Sequence, residues 1–169
     1  GLEFGRLAQV ILDNVADQPT PKGYLKAFDP LTGEERWVVE IPNYWNGGVL
    51  GTEGGLVFQG NALGFLNAYD KETGETLWSF NTYTSMLAPP ITFELDGEQY
   101  VSILTGTGGG DLFGGEPLPP VAEHASLTYN NYGRLLVFKL GGDAELPVPD
   151  LRDREIPARD VAAIEHGSV

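Results

Sequence analysis

The chain has 169 residues, room for one ordinary domain, and its 41% apolar and 11% aromatic content is enough for a packed core, which excludes a disordered sequence. Its 24 acidic against 10 basic residues give a formal charge of −14, spread over turns and strand edges, which repels phosphate backbones and anionic lipid and argues against nucleic acid as a partner. With no cysteine it has no disulfide, thiolate zinc site or Cys-x-x-Cys-His haem attachment, and no run approaches the roughly 18 apolar residues of a membrane span.

In chain order, residues 1–22 form an N-terminal segment whose start, GLEFGRLAQVILDNVADQ, lacks the basic head and long apolar core of a signal peptide. At Gly23 a phrase begins, GYLKAFDPLTGEERW, that returns at Gly64 as GFLNAYDKETGETLW with Gly, Leu, Ala, Asp, Thr, Gly, Glu and Trp at matching positions. Each copy reads as a hairpin. Leu25, Ala27 and Asp29 alternate with Tyr24, Lys26 and Phe28, as Leu66, Ala68 and Asp70 do in the second copy. Asp29 and Asp70 are expected to bond the turn backbone, and Gly33 and Gly74 to take the positive φ that closes it. Two short strands, NGGVLGT and GGLVFQG, lie between the hairpins.

After Trp78 comes a further pair, APPITFEL and YVSILTG, joined at Asp96-Gly97, with Pro89 and Pro90 expected at the strand's start where a missing donor is tolerated. A Gly-rich, then Pro-rich insertion leads to GRLLVFKL, which echoes the opening of the repeat at Gly133, Leu135 and Val137 but loses the Asp, the turn Gly and the Trp. Loops of that length are either functional or disordered. From Asp143 the charged, proline-interrupted residues 143–169 read as a tail or interdomain linker. Four strands per forty-odd residues is the period of a propeller blade. The expected fold is therefore all-β, a partial β-propeller of about three four-stranded antiparallel blades over residues 23–142, with residues 1–22 supplying a piece of a blade. Closed rings need about four to eight blades, so the sequence fits a piece of a larger ring, one subunit of a ring built from several chains, or an open stack.

The phrase G-x-L-x-A-x-D-x-x-T-G-x-x-x-W resembles the tryptophan docking repeat of eight-bladed quinoprotein propellers. Two longer stretches, YWNGGVLGTEGGLVFQGNALGFLNAYD and APPITFELDGEQYVSILTGTGGG, are similar to the C-terminal blades of alcohol dehydrogenases dependent on pyrroloquinoline quinone (PQQ). The resemblance runs from about Lys22 to Gly142. It implies a periplasmic enzyme with PQQ and Ca²⁺ in an axial funnel, where a catalytic Asp takes the alcohol proton as hydride passes to the quinone, and cytochrome c as electron acceptor. It also implies that the catalytic Asp, the metal ligands, an adjacent-cysteine disulfide and the Trp stacked on PQQ belong to earlier blades. No catalytic or metal residue is therefore assigned here, and the chain by itself is expected to be inactive and to hold neither cofactor tightly.

The same resemblance assigns four positions to the cofactor chamber. Trp45 and Asn46 match a loop that reaches it, Phe113 stands in a second chamber loop where some members carry Trp, and Thr107 replaces a large aromatic. The Pro-rich tail resembles the linker to a cytochrome domain, although no haem motif follows. Two rival functions remain open: a non-catalytic PQQ-repeat scaffold for protein partners, and a self-assembling module whose partner is a second copy rather than missing blades. Trp37 and Trp78 follow the repeat and are expected to be packed struts, and His124 and His166 to be surface residues. The run GTGGGD lacks the Lys-Ser/Thr ending and the helix of a phosphate loop.

Overall fold

In the computed structural model, residues 22–43, 46–106, 124–130 and 132–151 are described. Strands β1 (Gly23–Phe28) and β2 (Glu35–Ile41) form a two-stranded sheet. β3 (Asn46–Gly51), β4 (Leu56–Asn61), β5 (Phe65–Asp70) and β6 (Thr76–Asn81) form a four-stranded sheet in sequential order. β7 (Ile91–Leu95), β8 (Glu98–Thr105) and β9 (Arg134–Lys139) make a three-stranded sheet. All strand pairs are antiparallel, and the helical content among the described residues is one turn, α1 (Ala125–Thr128). The middle sheet alone has the four strands expected of each blade; the flanking sheets show two and three among the described residues.

The alternation read from the repeat holds. Leu25 is buried while Tyr24 and Phe28 are exposed, because Leu25 and Ile41 pack with Val57 and Tyr69 of the middle sheet. On the middle sheet's other side Leu66 meets Met86 and Ile103, with Leu136 and Phe138 against them. Each interface thus buries the same repeat position of successive blades, and burying one such aliphatic side chain contributes about 2 kcal/mol. The turn of the third hairpin also follows its residues: Asp96 at φ 53° and Gly97 at φ 79° give the paired positive dihedrals of a two-residue hairpin loop.

Both repeat hairpins close in the same way. Asp70 Oδ1 accepts the N–H groups of Glu72 and Thr73, each at 2.8 Å, and Asp29 Oδ1 accepts those of Leu31 and Thr32. Gly33 and Gly74 take φ of +74° and +75°. The backbone donors of Thr73 and Glu72, with the Thr73 hydroxyl, hold the Asp70 carboxyl below its usual range; for Asp29 the Arg36 guanidinium leads, followed by the Leu31 and Thr32 donors. A carboxyl whose pKa is depressed by folding stabilises the fold above its unfolded value, about 3.9, and that stabilisation is lost as pH falls towards the folded value. Asp70→Asn is therefore expected to weaken the fold at neutral pH and to flatten the loss of urea midpoint between about pH 5 and pH 3. Parallel midpoint-against-pH curves for parent and variant would show that the Asp70 charge does not stabilise the turn.

The two repeat tryptophans differ. Trp37 donates its indole N–H to the Lys71 carbonyl at 2.8 Å in the next sheet, and its ring lies over Gly74, where an added Cβ would sit 2.7 Å from Cε3. Trp78 is not such a strut: it is 39% exposed and touches Phe80 and Phe138 at ring separations of 5.8 and 5.5 Å. The physical reason lies in the third copy. Trp37 rests on the Asp-x-x-Thr-Gly turn that follows β5, whereas β9 is followed by Leu140-Gly141-Gly142, which offers no equivalent turn to cover Trp78.

Candidate functional site

The antiparallel order brings the starts of β3, β5, β7 and β9 and the ends of β4, β6 and β8 to one end of the blades. Three backbone links tie this end together. Met86 N donates to Asn61 O at 3.1 Å, Gly106 N to Ser85 O at 2.8 Å, and Ala125 N to Ala62 O at 2.9 Å. Buried polar side chains gather here, among them Asn43, Asn61, Thr82, Thr84 and Ser85. Side-chain oxygens of Asn46, Gln59, Thr84 and Ser85 are buried without a partner among the described residues. Burying an acceptor without a donor costs about 1–3 kcal/mol, so such a concentration sets this end apart from the apolar body of the blades.

Asn46 opens β3, the first strand of the middle sheet. Its Nδ2 donates to the Asn43 carbonyl at 2.6 Å, leaving Oδ1 as the unpartnered acceptor. Gly23 lies against the same junction, where a Cβ would come 2.6 Å from Asn46 Nδ2. Pairing of β3 with β4 slips between Asn46 and Val49, forming a bulge at Gly47-Gly48. Small residues are required here. A Cβ on Gly47 would lie 3.0 Å from the carbonyl oxygens of both Ala88 and Gly60, and one on Gly48 would lie 2.7 Å from Pro89 Cβ. The backbone of β3 thus packs directly on the segment leading into β7.

Of the four chamber positions expected from sequence, Asn46 is described and stands at this end; Trp45, Thr107 and Phe113 lie outside the described residues. Gln59, Thr84 and Ser85 were not anticipated. Their signal was faint: one of two amides in the strand LVFQGN, and the hydroxyl-bearing run Thr82-Tyr83-Thr84-Ser85 between β6 and β7. His124, expected as a surface residue and not a ligand, is half-buried and caps α1, its Nδ1 accepting the Ser126 N–H at 3.2 Å and lying 2.6 Å from Ser126 Oγ. His166 is outside the described residues.

Among the described residues no three His, Asp or Glu side chains converge as a metal site would need. A cavity of about 950 Å³ opens between the second and third sheets, walled by Leu56, Phe58, Trp78, Phe80 and Phe138. It also borders Thr52 and Gly141, at the opposite end from Asn46, and its walls are mostly apolar, with Glu98, Gln99, Lys139 and Glu145 also lining it; it runs beside β9, whose outer edge carries no strand among the described residues. The chemistry available at the Asn46 end is hydrogen bonding by amides, hydroxyls and bent backbone, with the Arg134 guanidinium at the start of β9, whose Nη1 is likewise buried without a partner among the described residues.

Residues 39–101 match the family model for the PQQ-type glucose/ethanol/alcohol dehydrogenase β-propeller domain. The chain belongs to the PQQ β-propeller family. This PQQ propeller chain is 47% identical over 130 residues to quinohemoprotein alcohol dehydrogenase ADH IIB of Pseudomonas putida, an alignment covering 75% of this chain and 18% of that protein. It is 42% identical over 149 residues to the lupanine 17-hydroxylase (cytochrome c) of a Pseudomonas species, covering 86% of this chain and 21% of that one. Among solved structures, the quinohemoprotein alcohol dehydrogenase of Comamonas testosteroni superposes with a TM-score of 0.61 at 38% identity, over 77% of this chain and 18% of that one. The PQQ propeller chain therefore spans about a fifth of the length of these relatives.

Proposed function

We propose that these blades are part of a PQQ-dependent alcohol dehydrogenase and that their Asn46 end forms one wall of its cofactor chamber. The observation that carries the reading is the position of Asn46: the family's chamber loop ends on the residue whose buried Oδ1 awaits a donor from outside the described segments. The family resemblance adds Trp45, Thr107 and Phe113 as the further chamber positions; in the sequence Trp45 directly precedes Asn46 and Thr107 directly follows Gly106. When bound, PQQ supplies the two-electron acceptor for hydride from the alcohol carbon. The residues of this chain bind, orient and exclude water, while the base that takes the alcohol proton and the Ca²⁺ ligands come from other blades. By itself the chain is then inactive. A c-type cytochrome receives the electrons in the periplasm, a reading supported by the relatives named as quinohemoproteins and cytochrome c enzymes.

The test is dye-linked alcohol oxidation by the full-length protein carrying these blades, with and without PQQ and Ca²⁺. Turnover that requires PQQ, and a rise in KM or a fall in PQQ affinity on Trp45→Ala, is the expected result. A full-length protein that folds, fails to bind PQQ and turns over no alcohol would instead make this a non-catalytic scaffold.

A further inference from the structure

Gln59 stands in the middle of β4, two residues before the amide Asn61 that ends the strand, and it is 7% exposed. Its Nε2 donates to the Gly47 carbonyl at 3.0 Å. The need for that bond follows from the bulge: where β3 slips between Asn46 and Val49, a backbone carbonyl falls out of the ladder and must find a donor elsewhere. A methionine or leucine would fill the same space and leave that carbonyl unpaired. Asn46 fixes the other foot of the same loop, Nδ2 to Asn43 O at 2.6 Å. The carbonyls of Asn43 and Gly47 are thus each held by a side-chain amide.

We propose that Gln59 is a positioning residue, clamping the Gly47 carbonyl so that Asn46 at the start of β3 is held at the chamber end of the blades. The inference rests on the chamber reading above and adds to it a residue from the second strand of the middle sheet, one that lies within the family-like stretch but to which the resemblance assigned no role. Gln59 acts through the backbone and not by contact with the cofactor. Its own Oε1 is buried without a partner among the described residues, so the amide is held in place by a single bond and its replacement removes one defined interaction.

The experiment is titration of PQQ into the full-length protein carrying these blades and into its Gln59→Met, Gln59→Glu and Trp45→Ala variants, followed by tryptophan fluorescence quenching, with far-UV circular dichroism to confirm folding. Loss of one clamp bond is expected to weaken PQQ binding about tenfold in Gln59→Met at every pH. Gln59→Glu is expected to be as weak at neutral pH and to recover as pH falls, because a protonated carboxyl has an O–H to give to Gly47 O and an ionised one has none. Urea midpoints of each variant at each pH separate this from a purely structural role, in which PQQ affinity would fall only where the midpoint falls with it. If Gln59→Met and Gln59→Glu bind PQQ like the parent while Trp45→Ala binds weakly, the positioning role is wrong and the chamber reading stands. If Trp45→Ala also binds like the parent, the chamber reading fails and the positioning role with it. Should methionine unfold the chain, the Gln59→Glu profile decides alone, and a flat one overturns the proposal.

Discussion

Replacing Trp37 by alanine is expected to lower the unfolding free energy by about 3 kcal/mol, at the low end for a packed indole because the ring is only partly buried. Three losses combine: contact with the Leu25, Ile41, Val57 and Tyr69 cluster, the ring face over Gly74, and the indole bond to the Lys71 carbonyl. Trp78→Ala, at the same repeat position, should cost about 1–2 kcal/mol, since that ring is 39% exposed and contributes mainly its contacts with Phe80 and Phe138. Urea unfolding of the two variants side by side checks the difference. Equal losses, or a larger one for Trp78, would mean that Trp37 does not tie the first two sheets together.

A second pair separates backbone strain from packing. Gly33 and Gly74 stand at the same turn position with φ of +74° and +75°, yet a Cβ on Gly33 meets nothing within 4 Å while one on Gly74 meets the Trp37 ring at 2.7 Å. Gly33→Ala should therefore cost about 1 kcal/mol, the price of a left-handed non-glycine residue. Gly74→Ala adds an overpacked contact on an aromatic ring that is itself hydrogen-bonded in place, for a total of about 3 kcal/mol. Unfolding midpoints report both, and the Trp37→Ala background should bring the Gly74 cost down to that of Gly33. Persistence of the larger cost without the indole would place its origin in the turn itself.

The turns were legible in the sequence because their chemistry is local: Asp29 and Asp70 reach donors two and three residues on, and the glycine that closes each turn is fixed by the same few dihedrals. Strand alternation was legible for the same reason. The fate of Trp78 was not, because an indole's burial depends on the turn of the next blade, and the third copy lacks that turn. Gln59 was illegible for a related reason. Its partner is a carbonyl freed by a bulge in another strand, and nothing in LVFQGN announces where that bulge falls. Asn46 was found through the family phrase around it and not through its own surroundings.

The repeat also gives the stack a direction. Leu25, Leu66 and Leu135 hold the same place in their copies; the first two face the following sheet and are buried, while Leu135, with nothing beyond it among the described residues, is 63% exposed. The two outer faces are consequently unlike: one shows Tyr24, Val38 and Phe28, the other Ile91, Leu104, Leu135 and Val137. Such a contact is heterologous, joining a front to a back as links of a chain do, and it contains no surface that matches itself. A twofold pairing of like faces would have to abandon the interface the blades already use. A head-to-tail order satisfies both faces only when its accumulated rotation returns to the start, whereas an open stack of the described blades keeps one front and one back facing outward.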